Sequence, residues 1–113
     1  MGTPKLSSAP DVDPALKALV EKFFTAWCEG DLDAAPTFLT AVSASALNLA
    51  QNDAHSVHIG KEEAEGEKFV LMTSAVSEDE TMDLPVVLEK EEGEWRINLI
   101  EAFNRWTLAQ PDD

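Results

Sequence analysis

Two side chains in this sequence could move a proton in a sheltered setting, His55 and Glu101. His55 shares a strand face with Val57 and Ile59, whereas His58 points the other way, because neighbours in a strand alternate sides. If the alternation of Trp95, Ile97 and Leu99 runs on, Glu101 falls on the same apolar face as Phe103. A carboxyl there would lose water, its pKa would rise, and it could act as a general acid or base. If the strand instead stops near Ile100, Glu101 stands in water, and this second reading is preferred because the end of the sheet is close. A His55 and Glu101 dyad is therefore the best enzymatic hypothesis, set against the more ordinary one of a surface or structural histidine.

The other reactive types point to structure. Cys28 is the only cysteine, which excludes an internal disulfide and a cysteine-rich zinc site. It lies near a helix C-terminus beside Glu29, an environment that disfavours a thiolate, so it is expected to be a small buried hydrophobe. Trp27, Trp95 and Trp106 could line a ligand pocket with Phe38 and Phe103, since aromatic rings give flat apolar area. The core is the preferred reading for Trp27, at the centre of its helix stripe, and for Trp95, beside the hairpin turn, whereas Trp106, next to Arg105, fits a rim or an interface. Glu62, Glu63, Glu65, Glu91, Glu92 and Glu94 fall in or near turns expected at one end of a sheet. They lack the spacing of a calcium loop and are expected to form a solvated rim rather than a calcium or basic-peptide site. No metal ligand set and no cofactor motif is present in the sequence, so none is expected.

These groups must be held by a fold, and the chain changes period halfway along to supply one. Thr3 to Val12, with Pro4 and Pro10, carries no periodicity and reads as a flexible arm over residues 1–12. Asp13-Pro14 then opens a helix, with Asp13 as N-cap and Pro14 where its missing N–H costs nothing. Leu16, Leu19, Val20, Phe23, Phe24 and Trp27 form one apolar face, and Gly30 supplies the left-handed cap. A second helical segment follows from Asp31, interrupted at Pro36, and a third over Ala41 to Asn52. Four strand candidates come next: His55–Ile59, Phe69–Val76, Met82–Leu88 and Trp95–Leu99. Pro85 cannot donate to a ladder and should mark a bulge or an unpaired edge. Glu92-Gly93 is a hairpin turn. Helices followed by a strand meander define a single α+β domain over residues 13–110, with a short tail at 111–113.

Composition limits the partners. The 113 residues carry 22 acidic and 8 basic side chains, a net charge of −14, which repels phosphate backbones and anionic headgroups. Nucleic acid and membrane insertion are therefore poor expectations, and solubility or attraction to a basic protein better ones. No stretch is long and apolar enough to span a bilayer and residues 1–13 lack a signal-peptide pattern, so a cytoplasmic setting is expected over export, a removed leader being left open.

The stretch from Phe23 through Trp27-Cys28-Glu29-Gly30-Asp31-Leu32, with Gly93-Glu94-Trp95-Arg96-Ile97, resembles the nuclear transport factor 2-like superfamily, nearest to its small bacterial and lumazine-binding-like branches. The resemblance covers about residues 13–106 and is structural rather than catalytic. It implies a curved four-stranded antiparallel sheet wrapped around helices as a cone, with a pocket at the open end and a homodimer through the outer sheet face. Phe69-Val70-Leu71-Met72, apolar on both sides, agrees: one face meets the helices and the other a partner subunit or a further layer, with Val70, Met72 and Trp106 as interface candidates. Pro36 and the short stretch before the sheet could narrow the pocket. The expected role is a non-enzymatic module binding a small apolar ligand or a protein. A small isomerase or cyclase using a carboxylate in the cone, and an acidic immunity or chaperone-like protein masking a basic partner, are the alternatives.

Overall fold

A computed structural model describes residues 3–109. The elements in order are β1 (Lys5–Ser8), α1 (Pro14–Glu29), a 3-10 turn (Ala35–Phe38), α2 (Ala41–Ala46), β2 (Ser56–Glu65), β3 (Lys68–Val76), β4 (Thr81–Glu91), β5 (Glu94–Asn98) and α3 (Leu99–Ala109). The expected tail at 111–113 lies outside the described residues.

The first helix forms for local reasons. The Asp13 carboxylate accepts from the amides of Ala15 and Leu16 at 2.8 and 3.4 Å, and Pro14 occupies the first turn. At the other end Gly30 takes φ +78° and donates its N–H to the carbonyls of Ala26 and Trp27, the left-handed closure that a residue without Cβ adopts freely. The stripe of Leu16, Val20, Phe23, Phe24 and Trp27 is buried against the sheet.

The sheet has five strands in the order β1-β2-β3-β4-β5, curled into a half-barrel around α1, so the expected count of four is corrected. β2 to β5 make the antiparallel meander. The added strand comes from the arm: Lys5–Ser8 pairs parallel to Ser56–Ile59, Leu6 opposite Val57. Pro4 and Pro10 flank this short strand without interrupting it, so no ladder hydrogen bond is lost to them.

β2 runs six residues beyond the expected Ile59 because a register shift between Ile59 and Lys61 resets its phase, placing Glu62 opposite Leu71 on the inner side. Glu62 and Glu63 are thus strand residues, and the reversal falls at Gly66, φ +63°. Pro85 pairs with Met72 in an unbroken register, while β5 pairs β4 only from Val87 onward, leaving the far edge at Pro85 without a partner strand.

One helical expectation and one strand expectation change. The third run keeps helix only over Ala41–Ala46, because the chain beyond is recruited to the end of α1. There the Trp27 indole N–H donates to the Ala50 carbonyl at 2.7 Å, the Gln51 amide to the Cys28 carbonyl at 2.9 Å, and the Asn52 N–H to the Trp27 carbonyl at 3.1 Å. The last two bonds supply donors to carbonyls at the helix end, and the indole bond ties α1 to the same stretch of chain from the other direction. The last strand ends at Asn98, where Asn98 Oδ1 accepts from the Glu101 N–H at 3.0 Å and starts α3. Buried Ser43 on α2 completes that start, its Oγ accepting from the amides of Leu99 and Ile100 at 3.1 and 3.3 Å.

The core lies between α1 and the concave side of the sheet. Phe23, Phe24, Ile59, Leu71, Leu84, Leu88 and Ile97 are completely enclosed there, with Leu99 and Ala102 of α3 joining them.

Candidate functional site

The proton-transfer hypothesis meets its geometry first. Glu101 stands in the first turn of α3, not on the strand face, so the dyad reading is corrected. Its carboxylate receives the Lys68 ammonium at 3.0 Å and the Arg105 guanidinium at 2.6 Å, and Arg105 also grips both oxygens of Glu65 at 2.7 and 2.9 Å. Hydrogen bonds from Lys68 and then Arg105 hold the Glu101 carboxyl below its ordinary range, the opposite of what desolvation alone would do. The Lys68 ammonium is correspondingly pushed up, first by its bond to Glu101.

His55 is exposed, in the bend just before β2, and its backbone joins Lys5 to Val76. Because Arg105 ties Glu101 to Glu65, the last residue of β2, the ten-residue length of that strand, roughly 30 Å along its course, lies between His55 and the Glu101 pair. The two do not converge. His58 instead bonds the Ser7 hydroxyl at 2.7 Å across the β1–β2 pair.

The aromatic candidates go mainly to packing. Trp27 meets Phe23, Phe24 and Phe103 at ring-centroid distances of 5.2, 5.6 and 6.3 Å. Trp95 packs edge-on to Phe69 at 5.5 Å, with the Lys90 ammonium 5.4 Å above its ring. Trp106 is half-buried against the core. Val70 is only 2% exposed within one chain, so it has almost no area left to give a partner subunit, whereas Met72 keeps part of its surface. Cys28 is buried, and that burial, followed by the charges of Asp53 and Glu29, pushes its thiol up to about 11.

Most of the rim carboxylates expected in the turns have partners of their own. Glu62 accepts from the Asp13 N–H at 2.7 Å, Glu91 from the Ala41 N–H at 3.0 Å, and Glu94 faces Arg96 at 2.8 Å. The depression of about 430 Å³ beside Glu89, Glu91 and Glu101 is consequently bordered by groups already bonded within the chain, since Asn98 occupies Glu89 at 2.6 Å.

The surface of different character lies along the outer side of α1. A groove of about 420 Å³ runs between two lips: Leu6 of β1 on one side, Ala34 and Phe38 by the 3-10 turn on the other. Its floor is a second stripe of α1, where Ala18, Thr25 and Ala26 are small enough to keep the surface low between the lips. Glu21, Glu29 and Asp31 border it, Glu29 accepting from the Thr3 hydroxyl at 2.6 Å and Asp31 from the Ala34 N–H at 3.2 Å, with Lys22 as the single cation among the bordering groups. Of the pocket candidates named from sequence, only Phe38 lies here; Trp27, His55, Trp95, Glu101 and Phe103 do not. The sequence signal for the groove was the run of small residues at helical spacing on α1, opposite the bulky stripe. Comparison with known proteins found no matching family model, no matching curated protein and no matching solved structure.

Proposed function

We propose that this chain is a non-enzymatic binding module of the nuclear transport factor 2-like kind, and that its working surface is the groove along α1 rather than the inside of the cone. The observation that carries this reading is the contrast between the two places. The space under the sheet is filled by Phe23, Phe24, Leu71, Leu84 and Leu88, all without exposure, while the groove leaves an apolar floor open. A volume of 420 Å³ falls within the range of about 300–1,000 Å³ that small-molecule and side-chain pockets occupy. The isomerase or cyclase alternative loses its acid, because Glu101 is an ion-paired carboxylate far along the strand from His55.

A neutral solvatochromic dye tests the reading. The wild-type chain should enhance and blue-shift Nile red fluorescence, with amide shifts at Ala18, Thr25 and Ala26. Ala18→Glu, which places a charge on the floor, should abolish both without lowering the melting temperature appreciably. Equal dye binding by the variant would refute the groove as the binding surface.

A further inference from the structure

Resting on that groove, we infer that the module takes an extended basic segment of another protein, which adds as a strand to the free edge of β1. Three independent features of the molecule converge on this partner.

The first is an open backbone edge at the lip of the groove. β1 stands at the end of the sheet, and among the described residues no strand pairs with its other side. The amides of Lys5 and Ala9 donate toward β2, to His55 at 2.9 Å and Ile59 at 2.8 Å. Backbone groups alternate sides along a strand, so the N–H and C=O groups of Leu6 and Ser8 face away from the sheet. Such an edge is a ready template for an incoming strand.

The second is where that edge lies. The side chain of Leu6 is opposite Val57 in register and so turns toward the concave side, where it forms one lip of the groove and remains 37% exposed. A strand laid beside β1 would therefore carry every second side chain over the apolar floor made by Ala18 and Ala26. Main-chain bonds and side-chain burial would come from the same segment, the arrangement that gives β-augmentation both affinity and selectivity.

The third is charge. Glu21, Glu29 and Asp31 outnumber Lys22 along the groove, and the whole chain carries −14. A second copy of this chain would bring the same negative charge to the same place, and a four-residue edge bearing Lys5 is poorly suited to pairing with itself. A segment with a lysine at every second position meets both requirements from its groove-facing side alone, the alkyl stems lying over the floor and the ammonium groups reaching the carboxylate border, while its apolar positions turn to the other face beside Lys5.

The experiment uses the full chain and an eight-residue (Lys-Val)4 peptide, with (Glu-Val)4 as the charge control. Two N-methylated versions of the basic peptide block its odd or its even amides, leaving one edge able to hydrogen-bond. Titration by calorimetry should show binding of (Lys-Val)4 that weakens as salt is raised, and no binding of (Glu-Val)4. One N-methylated peptide should bind like the parent, and the other about tenfold or more weakly, because it loses the strand bonds. Hydrogen exchange at Leu6 and Ser8 should slow on binding. Equal affinity of both N-methylated peptides would overturn edge pairing, and equal affinity of the acidic peptide would overturn the basic partner. A chain that binds Nile red in the groove but not (Lys-Val)4 would sink this inference alone, while failure to bind either probe would sink the groove reading with it.

Discussion

Removing one hydroxyl tests how the last helix is held. Ser43 is completely buried on α2, and its Oγ accepts from the N–H groups of Leu99 at 3.1 Å and Ile100 at 3.3 Å. Ser43→Ala leaves both donors without that acceptor. Leu99 is itself fully buried, so its amide has no route to water, whereas half-buried Ile100 can recover a solvent bond. A buried donor left unmet costs about 1–3 kcal/mol, so one full loss and one partial loss come to about 2 kcal/mol. For a domain of this size about 4–6 °C of melting temperature corresponds to each kcal/mol, giving a fall of roughly 10 °C. Thermal unfolding followed by circular dichroism reads this directly. Ser45→Ala, which removes an exposed hydroxyl bonded only to the Val42 carbonyl, should stay within about 0.5 kcal/mol and serves as the control. A Ser43→Ala melt within about 2 °C of the parent would refute the account of how α3 is anchored.

Two further outcomes follow from charge and burial. The Glu101 carboxyl titrates lower in the folded chain than its ordinary 4.5, so its stabilisation is present above that pH and is lost as pH falls through the folded value. Glu101→Gln should therefore be less stable than wild type at neutral pH, by about 0.5–1 kcal/mol for a partly exposed network, with the difference vanishing in acid; a gap that persists at low pH would contradict the ion-pair assignment. The Cys28 thiol, raised to about 11 by burial and neighbouring carboxylates, should resist an aromatic disulfide reagent at pH about 8 in the native chain and react promptly once unfolded. Prompt native reaction would show the thiol is accessible.

What could be read from sequence was what local chemistry decides. Asp13, Pro14 and Gly30 bound α1 because each acts within a turn of its own position, and the apolar stripe between them needs no distant partner to be recognised. β1 was hidden because Lys5–Ser8 has no period of its own; only pairing with Ser56–Ile59 makes it a strand. α3 was overlooked for a different reason. Leu99 satisfies both the alternation of Trp95 and Ile97 and the helical stripe of Ala102, Phe103 and Trp106, so one residue served two periods. The pair Asn98 and Glu101, three apart, was the available sign of a helix start. The groove depends on two lips from distant parts of the chain, which is why Phe38 alone among the candidate pocket residues was placed at it.

The parallel pairing of β1 bears on the order of assembly during synthesis. Lys5–Ser8 has no strand neighbour until Ser56–Ile59 has been made, some fifty residues further along. The hairpins of the meander close over short spans, while docking this strand closes a loop of some fifty residues at a larger entropic cost. At this edge the earlier strand depends on the later one: Lys5–Ser8 can be seated only once β2 is in place.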